Sequence, residues 1–540
     1  MKQKTLEGKT LSPGLAIGTA FIYRDVLKTP DEFYDIDEDQ VDQEIRRFDG
    51  AVEHVAGLLT ELAASVEKEM NDSMSGVFDA HSIILQDASL GNEVREKIRN
   101  ELVSAASAVR AVFRRWERRF KAMDAEVSRQ KADDMRDLSR RLIHSLAGIR
   151  SHALEKLPAG SVLVANRLLP SDTIVLGRKK AAGAILEKGG TGSHAALFAR
   201  EIGLPCVAGL DGLVNKVAGD GTVLVDADRG VVVLDPDEST RSAYEKKRSA
   251  HTQAFSRAKK DAAKSAVTQD GTRIAVLANV GCPEDTANAV DNGAEGVGLY
   301  RTERLYLDKS RPPDCEALLE ELRATLLPAA ELPVYVRLLD AGADKPLPFM
   351  DTSREANPAL GKRGIRYLFD APELLSTQLK ALLRLSTEFN LHIIVPMVTL
   401  PSEMERVRSL LAEEAEQLNI TTLPKLGAMI ETPAAALGAE AMSGPADFFS
   451  LGTNDLTQYV FATDRENPSV DHYFKDAHPA IFRLIRMVRQ DLPDMDISVC
   501  GELAGYPEHV EKILRCGIRT LSTAPALIPR IKETIRNIRL

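Results

Sequence analysis

The stretch IAVLANVGCPEDTANAVDNGAEGVGLYR, residues 274–301, decides the fold of the second half of the chain. A run of apolar and β-branched residues is followed by a helix-favouring segment and then by a second apolar run that ends at a charged residue. This alternation of buried strand and amphipathic helix recurs after Gly271, and eight such units in about 270 residues are typical of a (β/α)8 barrel. The predicted strands are Ile274–Val280, Gly296–Tyr300, Val334–Leu339, Ile393–Val398, Leu426–Ile430, Phe448–Leu451, Ile497–Cys500 and Thr520–Ala524.

Polar residues directly follow the predicted strands, at positions that line the catalytic face of a parallel barrel. The residues at these positions are Arg301, Arg337, Glu431, Asn454, Asp455, Cys500 and Glu502. This placement is hard to explain as packing, and it predicts a catalytic site at the carboxyl ends of the strands.

The types of residue at these strand ends indicate the chemistry. Glu431 and Asp455 end neighbouring strands, so we expect their carboxylates to converge on one hard divalent cation, and Mg²⁺ suits such a site. Four arginines provide planar donors for phosphate and carboxylate, which predicts an anionic substrate. They are Arg301, Arg337, Arg363 and Arg465. Cys500 is either an inert core residue or a proton donor to a carbon centre.

The first half of the chain combines a small α/β unit with a helical insertion. Leu11–Tyr23 predicts a strand, and short β-rich runs return between Gly160 and Leu234. Between Asp37 and about Gly148, apolar residues spaced by threes and fours predict a bundle of roughly four or five helices. We therefore expect the bundle to interrupt a discontinuous α/β domain, and the polar stretch 236–268 to form a linker helix.

A glycine-rich turn, GGTGSH at Gly189–His194, precedes the helix-favouring run Ala195–Ile202. The amide groups and the positive dipole end of such a turn could hold the oxygens of a phosphoryl group on His194. The pattern also fits an ordinary strand–turn–helix in which Ser193 caps the helix. The residues alone leave both interpretations open.

The composition of the 540-residue chain excludes several classes of protein. With 44% hydrophobic and 27% charged residues, it is typical of a soluble globular protein, and its net charge of −10 lacks a basic footprint for nucleic acid. No run approaches the roughly 18 apolar residues of a membrane helix. Five scattered cysteines argue against a disulfide framework and fit a reducing compartment. We expect a cytoplasmic enzyme or large binding protein, with no nucleic-acid partner and no membrane insertion.

With these residues assembled, the chain resembles enzyme I of the bacterial phosphotransferase system, the phosphoenolpyruvate–protein phosphotransferase family. The similarity extends from Leu11 almost to Leu540. The most specific stretches are FFSLGTNDLTQYVFATDREN at Phe448–Asn467 and CGELAG at Cys500–Gly505. The others are SPGLAIGTA at Ser12–Ala20, KADDMRDLSRRL at Lys131–Leu142, GGTGSHAALFAR at Gly189–Arg200, GAEGVGLYRTE at Gly293–Glu303, ANPALGKRGIR at Ala356–Arg366 and IETPAAA at Ile430–Ala436.

The resemblance implies a role for each of these positions. His194 would be phosphorylated on Nε2, and Cys500 would protonate the departing enolate. Glu431 and Asp455 would hold Mg²⁺. Phosphoenolpyruvate would be bound by Arg301, Arg337, Asn454, Asp455 and Arg465. The helical bundle would dock the histidine-containing phosphocarrier protein, the barrel would form a homodimer, and the linker would permit a large swivel of the histidine-bearing domain.

The implied domains are a phosphohistidine α/β domain at 1–30 and 149–235, a helical phosphocarrier-docking bundle at 31–148, a linker helix at 236–268 and a phosphoenolpyruvate-binding (β/α)8 barrel at 269–540. A pyruvate phosphate dikinase or phosphoenolpyruvate synthase would need an ATP-binding domain, which we do not find. The nitrogen-branch paralogue carries an additional N-terminal sensory domain, whereas this chain starts directly at the SPG strand. A signalling scaffold without turnover would leave the arginine, carboxylate and cysteine set unexplained.

Overall fold

The structure, a computed structural model, describes most of the chain. The described residues are 3–23, 34–69, 78, 81–121, 126–149, 153–169, 172, 175–176, 178–189, 196, 199, 202–217, 221–306, 309, 311–342, 347, 349–350, 355, 357–464 and 470–540. They divide into two compact units, Met1–His251 and Thr252–Leu540.

The first unit contains an eight-stranded mixed sheet. Its strands are β1 Lys4–Glu7, β2 Lys9–Ser12, β3 Leu15–Tyr23, β4 Val162–Ala165, β5 Gly183–Leu186, β6 Cys206–Ala208, β7 Thr222–Asp226 and β8 Val231–Leu234. They lie in the order β1-β8-β7-β3-β4-β5-β6-β2. The central strands β3 to β6 pair in parallel, and the remaining pairs are antiparallel.

One glycine separates the two strands at the opposite edges of this sheet. Gly8 lies between β1 and β2, and its amide donates a 2.8 Å hydrogen bond to the carbonyl of Gly230. A Cβ atom at this position would lie 2.4 Å from the carbonyl oxygen of Ala208. Since no side chain fits at that distance, glycine is required here. One residue cannot cross a flat sheet, so the sheet curls until its two edges meet at Gly8.

A helical bundle lies in the sequence between β3 and β4, which are neighbours in the sheet. Its long helices are α1 Val41–Glu69, α2 Ala88–Glu101, α3 Ala105–Lys121 and α4 Glu126–Leu146. Its core contains Phe48, Val55 and Leu59 from α1, all buried against residues of the other helices. Each such buried apolar side chain stabilises the fold by about 1.5–3 kcal/mol. Because these side chains recur every three to four residues, they lie on one face of each helix, and burial of these faces holds the bundle together.

The sheet and the bundle share a buried ion-pair cluster. The guanidinium of Arg140, on α4, donates to Asp137, to Asp172 and to the hydroxyl of Tyr23 at the end of β3. All four residues are buried. This cluster fixes the point at which the chain leaves the sheet for the bundle and returns to it.

Two helices complete the first unit. They are the four-residue helix α5, Leu213–Lys216, and the part of helix α6, Glu238–Lys260, that precedes Thr252. Helix α6 covers most of the stretch that the sequence predicts as a linker helix. No helix within the described ranges is long and apolar enough to span a bilayer.

The second unit is a closed barrel of eight parallel strands. They are β10 Arg273–Val280, β11 Val297–Tyr300, β12 Val334–Arg337, β13 Leu391–Val395, β14 Lys425–Ile430, β15 Phe448–Leu451, β16 Ile497–Val499 and β17 Thr520–Thr523. Because β10 pairs with both β11 and β17, the ring is complete. The short strand β9, Ala266–Val267, extends it antiparallel to β10.

Helices follow the barrel strands and cover the outer face of the ring. They are α7 Pro283–Asp291, α8 Cys315–Leu326, α9 Ile365–Asp370, α10 Pro372–Leu385, α11 Pro401–Gln417, α12 Pro433–Leu437, α13 Thr453–Val460, α14 Pro479–Asp491, α15 Pro507–Arg515 and α16 Ile528–Arg536. The fold class expected from the sequence is therefore confirmed.

The strand ends differ from the expectation where side chains or proline stop the ladder. Strand β12 ends at Arg337 rather than Leu339, because the amide of Leu339 donates to the Gln378 side chain, at 2.8 Å. Strand β13 ends at Val395 rather than Val398, since Pro396 has no amide hydrogen and Met397 has a positive φ of 56°. The outer strands β1 and β2 and the three-residue β6 are elements that the sequence pattern does not reveal.

Candidate active site at the carboxyl ends of the barrel strands

The barrel brings the polar residues that follow its strands to one end of the ring. Arg337 is the last residue of β12, whereas Arg301, Glu431 and Cys500 directly follow β11, β14 and β16. Asn454 and Asp455 lie in the first turn of α13, just after β15. Since the strands are parallel, their carboxyl ends meet at this face.

Arg337 is held by two carboxylates. Its Nη2 atom donates to Glu303 Oε1 at 2.9 Å, and its Nη1 atom lies 3.2 Å from Asp340 Oδ2. The amide of Asp340 donates to the same Glu303 oxygen, at 3.0 Å. The Nε atom of Arg337 is buried without a hydrogen-bond partner among the described residues. Two of its nitrogens are thus fixed by the protein, whereas Nε has no acceptor among the described residues.

Arg363 joins two carboxylates deep in the same face. Its Nε and Nη2 atoms donate to the two oxygens of Asp340, both at 2.9 Å, and its Nη1 atom donates to Asp455 Oδ1, also at 2.9 Å. Only 1% of Arg363 is exposed. The sequence suggests Arg363 as a donor to an anionic substrate, but in the structure its guanidinium positions carboxylates of the chain itself.

Glu431 is a buried carboxylate next to other negative charges. Its Oε1 atom accepts a hydrogen bond from the amide of Met397, the residue with the positive φ that follows β13. Burial raises the pKa of Glu431 above its usual range, and the charges of Asp340 and Asp455 raise it further. Full ionisation of Glu431 therefore requires additional positive charge at this position.

Cys500 is buried at the strand end, with a hydroxyl group against its sulfur. Ser450 Oγ donates to Cys500 Sγ at 3.2 Å, and Cys500 Sγ lies 3.5 Å from the carbonyl oxygen of Leu451. Burial is the main cause that raises the pKa of this thiol. Cys500 consequently stays protonated at neutral pH, which is the state that a proton donor needs.

Asn454 and Glu502 hold each other across neighbouring strand ends. Asn454 Oδ1 accepts from the amide of Glu502 at 3.0 Å, and Asn454 Nδ2 lies 3.3 Å from Glu502 Oε1.

The side chain of Arg301 is exposed, and its positive charge lowers the pKa of Cys500 against the larger effect of burial. Arg301 and Cys500 thus lie at the same face of the barrel, after β11 and β16.

Two of the predicted site residues, His194 and Arg465, lie outside the described residues. Most of the glycine-rich turn from Gly190 onward also lies outside them. Strand β5, which precedes this turn, is fully buried in the centre of the first sheet.

Two carboxylates of the site are absent from the sequence-based prediction. Glu303 and Asp340 fix Arg337, and Asp340 also binds Arg363. Asp340 follows the buried run Val334–Leu339, and an acidic residue directly after a predicted strand is the signal that could have identified it. Glu303 gives no such signal, because it lies in a short helical turn after the strand end.

Comparisons with known proteins agree with this architecture. Family models described as "PEP-utilising enzyme, N-terminal", "PEP-utilising enzyme, mobile domain" and "PEP-utilising enzyme, PEP-binding domain" match residues 7–131, 157–230 and 256–540. The phosphoenolpyruvate-protein phosphotransferase of Staphylococcus carnosus (strain TM300) is 34% identical over 543 residues, covering 99% of this chain and 94% of the relative.

A second relative and a solved structure are also similar. The phosphoenolpyruvate-protein phosphotransferase of Priestia megaterium is 33% identical over 542 residues, with the same two coverages of 99% and 94%. The NMR solution structure of Enzyme I (nEIt) aligns with 46% of this chain and 99% of its own at 31% identity and a TM-score of 0.39. The resemblance seen in the sequence is confirmed by the two relatives and the three family models: the chain belongs to the phosphoenolpyruvate-protein phosphotransferases, the enzyme I family of the bacterial phosphotransferase system.

Proposed function

We propose that this protein transfers the phosphoryl group of phosphoenolpyruvate to His194 and then to a histidine-containing phosphocarrier protein, releasing pyruvate. The observation that carries the proposal is the set of Arg337, Glu431, Asp455 and Cys500 at one end of the barrel of a family member. Cation-binding and anion-binding groups and a proton donor are the three elements that this reaction requires.

Mg²⁺ is the cofactor that fits the carboxylates of this face. Four carboxylates, those of Glu303, Asp340, Glu431 and Asp455, face two buried guanidiniums, those of Arg337 and Arg363, in the described part of the site. A divalent cation would balance that excess of negative charge. Glu431 and Asp455 would hold it, with Asp455 oriented by Arg363. When bound, Mg²⁺ supplies positive charge against the oxygens of the substrate.

The arginines and Asn454 bind and orient the substrate in this proposal. Arg337 lies at the end of β12 among the carboxylates of the site, and Arg301 adds an exposed positive charge directly after β11. Arg465 and Asn454 complete the set. Planar guanidinium donors match the geometry of phosphate and carboxylate oxygens, so they fix the phosphoryl group for in-line attack.

The chemical step moves one phosphoryl group and one proton. His194 Nε2 forms a bond to phosphorus as the bond between phosphorus and the enol oxygen breaks, and the electron pair remains on the enolate. Cys500 then gives its proton to the methylene carbon, which forms pyruvate. The buried and protonated thiol of Cys500 supports this role.

The partners follow from the second transfer. Phosphohistidine on His194 passes its phosphoryl group to the histidine of the phosphocarrier, which would dock on the helical bundle α1–α4. Formation of a homodimer through the barrel and a cytoplasmic location are further predictions of the family resemblance.

Incubation with radiolabelled phosphoenolpyruvate and Mg²⁺ tests the proposed function. We expect an acid-labile, base-stable label on the protein and release of pyruvate, both independent of ATP. His194→Ala should abolish labelling, whereas His472→Ala, a change at an exposed histidine, should leave it intact. Labelling of His194→Ala to the wild-type extent, or a requirement for ATP, would contradict the proposal.

A further inference from the structure

A line of hydroxyl groups lies inside the barrel and ends at Cys500. Ser498 Oγ donates to Ser450 Oγ at 3.1 Å, and Ser450 Oγ donates to Cys500 Sγ at 3.2 Å. Ser450 and Ser498 are opposite each other in the parallel pairing of β15 and β16. The three side chains thus form one continuous hydrogen-bonded path.

The alternation of side chains places this path inside the ring. Phe449 and Leu451 of β15 belong to the core between the strands and the outer helices, so Ser450 points inward. Ile497 and Val499 of β16 belong to the same outer core, which turns Ser498 and Cys500 inward as well. The barrel interior at this point is a hydroxyl path rather than a purely apolar core.

The path lies in the part of the barrel formed by β15 and β16. Cys500 directly follows β16 at the carboxyl end, and Ser498 is the middle residue of that three-residue strand. Cys500 and Ser450 are buried, but Ser498 is partly exposed. The chain of donors therefore begins at a residue that solvent reaches and ends at the buried thiol.

The direction of the hydrogen bonds suits delivery of a proton to sulfur. Ser450 donates to the sulfur, and Ser498 has two acceptors, Ser450 Oγ at 3.1 Å and the more distant carbonyl of Phe449 at 3.5 Å. Burial raises the pKa of the thiol, and donation from Ser450 lowers it because it stabilises the thiolate. On its other sides Cys500 packs against buried apolar residues, among them Leu299, Ile394 and Met429.

We propose that Ser450 and Ser498 form a proton relay that reprotonates Cys500 from the partly exposed Ser498 after each turnover. The inference rests on the proposed function, in which Cys500 gives its proton to the enolate carbon. In one concerted transfer the thiolate takes the proton of Ser450, Ser450 takes that of Ser498, and Ser498 takes one from water. The hydroxide that remains is neutralised by the buffer, so the one proton given to the enolate carbon is replaced by one from solvent. Both serines act through Cys500 and do not touch the substrate.

The relay predicts how often the substrate proton is exchanged with solvent. In the reverse direction, Cys500 takes a proton from the methyl group of pyruvate when phosphoenolpyruvate forms. With an intact relay, that proton is passed to solvent and replaced before the reaction reverses. Without the relay, the same proton returns to the same carbon, although phosphoryl transfer continues.

The test measures two rates on the full-length protein at equilibrium in D2O with ¹³C-labelled pyruvate, phosphoenolpyruvate and Mg²⁺. NMR gives the interconversion of pyruvate and phosphoenolpyruvate, and it gives the appearance of deuterium in the methyl group. We expect the ratio of deuterium incorporation to interconversion to fall about tenfold or more in Ser450→Ala and in Ser498→Ala. The double variant should fall no further than either single variant.

Ser522→Ala provides a matched control in the same interior. Ser522 is fully buried and donates to Asn279 Oδ1 at 2.6 Å, but it makes no hydrogen bond to Cys500 Sγ in the described part of the barrel. We expect a wild-type exchange ratio for Ser522→Ala. We also expect it for Ser498→Thr, which keeps a hydroxyl and provides a second variant if Ser498→Ala does not fold.

The outcomes separate the relay from simple positioning of the thiol. A wild-type ratio in folded Ser498→Ala would overturn the relay, because that variant keeps the bond from Ser450 to Cys500 and loses only the path to solvent. A low ratio in Ser498→Thr would overturn it as well. Absence of pyruvate formation by the wild-type protein would instead refute the proposed function itself.

Discussion

Arg363 and Asp340 show how single residues prepare the site for a charged ligand. Asp340 receives two hydrogen bonds from Arg363 and one ion pair from Arg337, so it fixes both guanidiniums at once. Arg363 also donates a hydrogen bond to Asp455, so the position of that carboxylate is fixed as well. Breaking a buried pair by removing one partner costs about 3–5 kcal/mol, which explains why neither side chain is free to adapt to the substrate.

The first prediction at the scale of the residue concerns the two carboxylates assigned to the cation. Glu431→Gln and Asp455→Asn should each lower the rate of pyruvate formation at least about 100-fold, because several kcal/mol of charge stabilisation is lost. The measurement is the initial rate over a titration of Mg²⁺. Glu414→Gln is the control, since Glu414 is also buried but lies on α11 and bonds to Ser376. A normal rate for either site variant would refute the two-carboxylate site.

The second prediction separates proton delivery from substrate binding. Cys500→Ala should reduce the turnover number for pyruvate formation on the order of 100-fold, because the carbon loses its acid, while the affinity for phosphoenolpyruvate stays near that of the wild type. Rapid-quench kinetics and direct binding measurements give the two quantities. Cys516→Ala, a change at another buried cysteine, serves as the control and should retain full turnover. Unchanged turnover in Cys500→Ala would show that Cys500 is a core residue and not the proton donor.

Sequence reasoning finds residues of this site only where a short-range pattern marks them. Arg337, Glu431 and Cys500 directly follow apolar runs, so their place in the barrel can be read from the sequence. The partnership of Asp340 with Arg363 spans 23 positions and depends on the path of the loop between them. Such long-range pairing follows from tertiary structure, and local periodicity does not encode it.

At the scale of the element, strand β14 shows how closely the barrel interior is packed. A Cβ atom on Gly427 would lie 2.3 Å from the ring of Phe448 on the neighbouring strand. That ring cannot easily move, because the rings of Tyr335 and His392 lie against it with centroids 5.1 and 5.9 Å away. Glycine is required here by the close approach of a large side chain.

The prediction for this element is a loss of stability. Gly427→Ala should destabilise the barrel by about 1–3 kcal/mol, because the added methyl group overpacks the interior. The midpoint of thermal unfolding, followed by circular dichroism, measures the change. Gly444→Ala is the control, since a Cβ atom at that position meets nothing within 4 Å. Equal midpoints for the two variants would show that the interior can rearrange around Phe448.

The elements themselves were largely predictable, and their ends were less so. Each of the eight barrel strands overlaps its predicted range, because fully buried parallel strands give continuous apolar runs. The end of β13 depends on Pro396 and on the positive φ of Met397, whose amide binds Glu431. A requirement of the site, rather than hydrophobicity, sets that boundary.

At the scale of the whole molecule, the division into two units leads to a prediction about the isolated first unit. A fragment of residues 1–251 holds the complete eight-stranded sheet, the bundle and His194, but none of the barrel residues. It should fold, accept the phosphoryl group from the phosphorylated carrier protein and fail to react with phosphoenolpyruvate. Gel analysis with each labelled donor, beside the full-length protein, tests this expectation.

Two outcomes would contradict that division of labour. Direct labelling of the fragment by phosphoenolpyruvate would show that the donor site is not in the barrel. A folded fragment that takes label from neither donor would place the carrier-docking surface outside residues 1–251. Retention of the fold by the fragment, seen as a cooperative unfolding transition, distinguishes this second outcome from simple misfolding.

The pairing of strand β1, which precedes Gly8, affects how the protein folds during its synthesis. Strand β1 leaves the ribosome early, yet its partner β8 is synthesised only after 224 to 230 further residues, since the register joins Glu7 to Val231 and Lys4 to Leu234. At about 5 to 20 residues per second, that interval lasts roughly 10 to 50 seconds. The nascent first strand must therefore wait unpaired while the helical bundle, which needs no residue beyond α4, can already form. We expect a chaperone to bind the segment around β1 during this interval, because the backbone donors and acceptors of that strand have no partner until β8 is made.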